Sequence, residues 1–245
     1  MSTRWKGFFY GFNFAQRHLC SLNTLSEENH LKALFILSKR QADTRITTNT
    51  LAHYLENRAA SITDMMKRLS ERALVDYKPY KGAALTPEGR LVAARIIRKH
   101  RLWETFLVEK LGFGWEEVHE VAEQLEHIDS PRLIDRIDAL LGYPECDPHG
   151  DPIPRADGSM PQQALRPLND VAPGTRVHIS RVIDDSAAFL DYLRQMGLSR
   201  GQVVVVKKRL DFDGSCVLQL EQGHEVTISA RAGSMIWIES PAQND

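Results

Sequence analysis

Six side chains able to coordinate a cation crowd into one run, HRLWETFLVEKLGFGWEEVHEVAEQLEHID: His100, Glu104, His119, Glu123, Glu126 and His127. His100 and Glu104 stand at i, i+4 on a helical pattern. His119, Glu123, Glu126 and His127 stand at i, i+4, i+7, i+8 on the next, so the four share a helix face. Carboxylates and imidazoles gathered this way repel one another unless a divalent cation sits among them. Every donor is oxygen or imidazole nitrogen, which suits Mn(II) or Fe(II), with Zn(II) or Co(II) able to substitute in vitro by raw affinity. The spacing is not HExxH, so the helix geometry of a zinc metalloprotease is missing. Cys20, Cys146 and Cys216 are far apart and odd in number, which fits a reducing compartment and argues against a disulfide framework.

The elements that must carry these residues follow from periodicity. Residues 26–40 open on Ser26 as a candidate N-cap and place Leu31, Leu34, Phe35 and Leu37 at helical spacing. A short helix begins after a Thr47 or Thr48 cap, and a third runs from Ala59 to Arg72 with Ile62, Met65, Met66 and Leu69 as its stripe. LVDYKPYKGAALT then reads as a hairpin turning at Pro79–Gly82. Three helices and a hairpin make a winged helix-turn-helix. A long helix starts at Pro87 and reaches about Leu111; helices over Trp115–Ile128 and Arg132–Leu141 follow. Residues 142–168, rich in Pro and Gly, read as a linker or extended arm. From Val171 five short alternating strands form a small β-barrel. The fold class is therefore mainly α with a small all-β C-terminal domain. Its expected parts are a tail (1–23), a winged-helix domain (24–86), a helical domain (87–145), the Pro-rich linker (146–168) and the barrel (169–240).

Charge divides the work. Residues 31–103 hold 15 Lys and Arg against 6 Asp and Glu, net +9, whereas residues 104–147 hold 3 against 12, net −9. Neighbouring blocks of opposite sign suit an anionic partner and a cation. In a helix-turn-helix the second helix of the motif enters the major groove with its N-terminal residues. The candidate DNA contacts are Ala60, Ser61, Thr63 and Asp64, with Lys67 and Arg68 a turn on. Thr48 opens the preceding helix, and Tyr80 and Lys81 tip the hairpin. Asp64 could accept from a cytosine amino group or anchor Arg68. No run of about 18 apolar residues is present to span a membrane. Trp5, Phe8, Phe9, Tyr10, Phe12 and Phe14 lack an apolar h-region, so they read as a loosely ordered tail rather than a secretory signal, and the expected location is the cytoplasm.

These residues resemble the diphtheria toxin repressor and manganese transport regulator family over about residues 24–240. LTPEGRLVAARIIRKHRLWETFL, VHEVAEQLEHIDS, DPHGDPIP and a FeoA-like SH3 barrel carry the resemblance. It implies a metal-dependent repressor of metal-uptake genes, not an enzyme, acting as a homodimer on double-stranded operator DNA. By position, His100, Glu104 and His119 fall at the family's ancillary site, and Glu123, Glu126 and His127 at its primary, activating site. The iron-responsive branch usually has Cys where Glu123 stands and the manganese branch has Glu, which favours Mn(II) over Fe(II). Asn29 falls where the first helix supplies a further ligand, Lys32 where some manganese regulators carry a second-site Glu, and Asp184 matches a barrel carboxylate. The implied switch is an ion joining Asn29 to the acidic helices and so setting two recognition helices about 34 Å apart, or a multiple of that. A metallohydrolase and a metal-independent winged-helix regulator are the competing readings. The first needs a general base that the sequence does not offer; the second leaves the acidic helix pair as scaffold.

Overall fold

The computed structural model describes residues 24–40, 45–184 and 186–239. The aromatic tail lies outside them. Within the helix α4 (Pro87–Leu111) the chain divides into two compact units, residues 1–93 and 94–245.

In the first unit α1 (Leu25–Arg40) begins before Ser26, because Thr24 caps it better. The Thr24 hydroxyl accepts from the Glu27 N–H at 3.3 Å, and the Glu27 carboxylate accepts from the Thr24 N–H at 2.8 Å. This reciprocal pair satisfies two helix-end donors at once. Ser26 lies inside the helix, its carbonyl accepting from His30 Nδ1 at 2.5 Å. Glu27 also pairs with Arg72 at 3.0 Å, tying α1 to the end of α3. Thr47, not Thr48, caps α2 (Thr48–Tyr54) by accepting from Thr50 N–H at 3.1 Å. Helix α3 (Ala59–Glu71) buries Ile62, Met65, Met66 and Leu69, the stripe its periodicity announced. Strands β1 (Val75–Lys78) and β2 (Gly82–Leu85) pair antiparallel as the wing. The wing is anchored through β2, where Ile46 exchanges two 2.8 Å backbone hydrogen bonds with Ala83. Gly82 has φ +91°, and a Cβ there would lie 2.4 Å from the Ile46 carbonyl oxygen, so this crossing requires glycine.

In the second unit Leu102, Trp103 and Leu107 of α4 pack with Val118 and Ala122 of α5 (Val118–Leu125), with Ile134 and Ile137 of α6 (Pro131–Leu140), and with Ile153. Helix α5 is shorter than the expected Trp115–Ile128. Trp115 packs instead against the barrel core, and Glu117 turns back to accept from the Gly114 N–H at 2.9 Å. Apolar burial and a satisfied turn outweigh one more turn of helix.

The barrel's sheet runs in the order β3 (Leu165–Pro167), β8 (Ile236–Glu239), β4 (Arg176–Val182), β5 (Val203–Arg209), β6 (Cys216–Leu220), β7 (Glu225–Ile228). The five expected strands are present. Two helices were not foreseen, α7 (Ala187–Gln195) and α8 (Ala230–Met235), nor was the short strand β3. The signal for α7 was the Leu190 and Leu193 pair, both buried at i, i+3 in a stretch that otherwise reads as a loop. Residues 145–155 are not a loose linker, since the carbonyls of Pro152 and Pro154 accept from Arg101 and Arg98 of α4.

Candidate metal centre

Helix α4 aims His100 and Glu104 from consecutive turns into the interior of the second unit, where both are buried. His100 Nε2 lies 2.9 Å from Glu104 Oε1, and His119 Nδ1 of α5 lies 3.3 Å from the same oxygen. The two imidazoles meet edge to face with nitrogens 3.2 Å apart. Ligand atoms of His100, Glu104 and His119 thus fall within 4.8 Å of one another. Burial pushes the Glu104 carboxyl up, but the His100 charge and hydrogen bonds from both histidines outweigh it and hold the acid well below its ordinary range.

The remaining expected ligands do not converge as one set. Glu126 and His127 lie in the turn just past α5 rather than on its face. Glu126 is buried and its Oε2 takes His100 Nδ1 at 2.6 Å, so it holds the ring from behind. His127 Nε2 lies 3.8 Å from Glu126 Oε1, and the largely exposed Glu123 lies 3.5 Å from His119 Nε2. Asn29 is exposed on α1. Asp184 accepts from the Ser186 N–H at 3.0 Å at the start of α7 and joins neither of the ligand groups found among the described residues.

The second such group was missed by spacing arguments: Glu104 again, with Asp147 and His149, all three buried. It lies in the quoted DPHGDPIP run, and the two-residue step between Asp147 and His149 was the available signal. His149 Nε2 donates to the Trp115 carbonyl at 2.7 Å while the rings stack with centroids 5.8 Å apart. That bond leaves Nδ1 as a lone-pair donor, 4.0 Å from Glu104 Oε2. Asp147 Oδ1 accepts from the N–H groups of His149 and Asp151, each at 2.9 Å. Oδ2 lies 3.4 Å from Arg101 Nε. Burial raises the Asp147 carboxyl to about 7, the charges of Asp151 and Glu104 adding to it and those of Arg101 and His149 opposing. Glu104 is therefore shared, Oε1 facing one triad and Oε2 the other. A cleft of about 1030 Å³ opens beside Asp147, lined also by Trp115, Ser180 and Arg200.

In the first unit the start of α3 is open: Ala59, Ala60 and Ser61 are exposed, and Thr63 donates to the Ala59 carbonyl at 2.9 Å. Asp64 pairs with Lys67 at 3.6 Å rather than with Arg68, which donates to Met65 Sδ at 3.5 Å. Thr48 is half-buried at the head of α2, and Tyr80 and Lys81 project from the wing tip.

Residues 24–83 match the N-terminal DNA binding domain of iron dependent repressors, residues 86–155 their metal binding and dimerisation domain, and residues 166–240 the FeoA domain. The chain is 32% identical over 120 residues to the HTH-type transcriptional regulator MntR of Geobacillus kaustophilus, covering 49% of this chain and 83% of that protein. The chain belongs to the metal-dependent repressor family. The iron-dependent repressor IdeR of Mycobacterium leprae is 27% identical over 202 residues, 77% of this chain and 86% of that one. A solved manganese-dependent transcriptional repressor in complex with manganese superposes with a TM-score of 0.80 at 36% identity, over 88% of this chain and all of that one. The repressor ScaR with bound Zn2+ follows at a TM-score of 0.71 and 31% identity, over 88% and 99%. No described helix of this family member is long and apolar enough to cross a membrane.

Proposed function

We propose that this family member is a manganese-responsive repressor of metal-uptake genes that binds double-stranded operator DNA as a homodimer, with Fe(II) the alternative ion. The observation that carries the reading is Glu104, a buried carboxylate serving two triads of oxygen and imidazole donors at once. The donor set fits a hard or borderline divalent cation and includes no thiolate. Glu123 in place of a thiol favours manganese within the pair.

When bound, the ion supplies positive charge that offsets the repulsion among Glu104, Asp147 and their neighbours. The protein's part is orientation. Glu126 holds His100 with Nε2 toward the site, Trp115 holds His149 with Nδ1 toward it, and the backbone N–H groups of residues 149 and 151 hold Asp147. A ligand that prefers the DNA-competent form stabilises it by RT ln(1+[L]/Kd), ~2.7 kcal/mol at a hundredfold excess. At the DNA end, Ala60, Ser61 and Thr63 permit close approach of α3, Lys67, Arg68 and Lys81 meet phosphates, and Tyr80 meets the groove beside the wing.

The test is an electrophoretic shift on the gene's own upstream region across Mn(II), Fe(II), Zn(II) and chelator. Retardation that depends on Mn(II) or Fe(II) and vanishes in chelator is the expected result. Equal retardation in chelator would leave the two triads as scaffold.

A further inference from the structure

We infer that the barrel is the clamp that assembles the second triad, with Arg200 and Gly150 acting as positioning residues although neither offers a ligand. This rests on the reading that Glu104, Asp147 and His149 hold an ion. Glu104 stands on a helix, whose backbone fixes it. Asp147 and His149 stand on a turn closed by a Cys146–Pro152 bridge and short-range bonds. Arg101 of α4 and the Trp115 carbonyl grip that turn directly, and the barrel holds it as well.

The barrel does so at four successive points. Arg200, in the turn between α7 and β5, donates Nη1 to the Asp147 carbonyl at 3.0 Å and Nε to the Ser180 carbonyl at 3.3 Å, with its other Nη against Cys146 Sγ. One planar fork thus joins β4 to the backbone of the ligand residue. Val182 N–H donates to the His149 carbonyl at 2.8 Å. Gly150 at φ +91° lies flat on β4: a Cβ there would come within 2.0 Å of the Ser180 carbonyl oxygen and 2.7 Å of Arg181 Cα. Asp151 is ion-paired to Arg181 of β4 and, at 3.2 Å, to Arg101 of α4. Residues 147, 149, 150 and 151 are each held by the barrel, while the side chains of residues 147 and 149 face Glu104. The first triad's three residues all stand on α4 and α5.

The experiment isolates each triad in the full chain. His119→Ala removes the first and leaves the second, Asp147→Ala the reverse, and Mn(II) binding is followed by calorimetric titration. Arg200→Ala in the His119→Ala chain is expected to weaken Mn(II) about tenfold, the size found when an orienting partner of a ligand is lost. In the Asp147→Ala chain it should leave affinity unchanged. Hydrogen exchange at the His149 and Asp151 amides should quicken in metal-free Arg200→Ala, and Arg200→Lys, which keeps charge but not the fork, should recover part of the affinity. Gly150→Ala is the second route to the same opening should Arg200→Ala fail to fold. Unchanged affinity and exchange in both variants, or equal loss in both backgrounds, overturns the clamp. If adding Asp147→Ala to the His119→Ala chain leaves Mn(II) binding intact, the triad itself holds no ion and the clamp falls with it, a result distinct from the previous two.

Discussion

The two triads share Glu104 and little else. The first is built by helices: His100 and Glu104 are one turn apart on α4, and His119 comes from α5, packed against it through Leu102, Val118 and Ala122. Its distances are set by helical geometry and an apolar interface. The second joins the same helix to a separate turn, whose backbone is bonded to Arg98 and Arg101 of α4 on one hand and to Val182 and Arg200 of the barrel on the other. Two sites with nearly the same donors therefore depend on different parts of the molecule.

Glu104→Gln tests whether the sharing is real. An amide keeps the size but loses the charge facing both triads, so Mn(II) affinity should fall at both, by about a hundredfold or more, and the metal-dependent gel shift should disappear. Loss at only one triad, seen in the single-triad chains, would show that Glu104 serves that one alone.

Proton competition should separate the triads next. Asp147 must be ionised to bind a cation, and its carboxyl is raised to about 7. In the His119→Ala chain, Mn(II) affinity should drop about tenfold for each pH unit below 7. A flat titration between pH 8 and 6 would contradict this. In the metal-free chain the sign reverses. The neutral acid is the form the fold favours, so the stability Asp147 contributes is present at low pH. It is lost as pH rises from the ordinary 3.8 through 7.

A smaller effect is expected from Trp115→Ala. The carbonyl that accepts from His149 remains, but the stacked ring that fixes the imidazole plane is gone. The second triad should weaken roughly tenfold or less and the first not at all. An equal loss at the first would mean that Trp115 acts through general packing of the unit.

The mildest change concerns selection. Glu123 is largely exposed and 3.5 Å from His119. Glu123→Cys should shift preference toward Fe(II) at the His119-containing triad by adding a thiolate, with the second triad unmoved. An unchanged Mn(II) to Fe(II) affinity ratio would remove Glu123 as the selector.

What could be read from residue order was whatever is local. The i, i+4 step of His100 and Glu104, the α3 stripe, Pro87 at the head of α4 and the alternating strands each depend on neighbours within a turn or a pleat. The winged helix, the helical pair and the barrel strands followed. Where several local choices competed, the tertiary environment chose: Thr24 over Ser26 as cap, because Glu27 also has Arg72 to bind, and a shortened α5, because Trp115 buries better against the barrel. Glu126 was legible as a donor but not as the group behind His100, since its place depends on how the chain turns after Leu125. The second triad is the clearest case. DPHGDPIP was visible as a motif, yet no period links Asp147 and His149 to a glutamate more than forty residues earlier. Helical spacing fixes side chains that share one backbone, whereas side chains on separate segments meet only where bonds such as those from Arg101 and Arg200 hold the segments together.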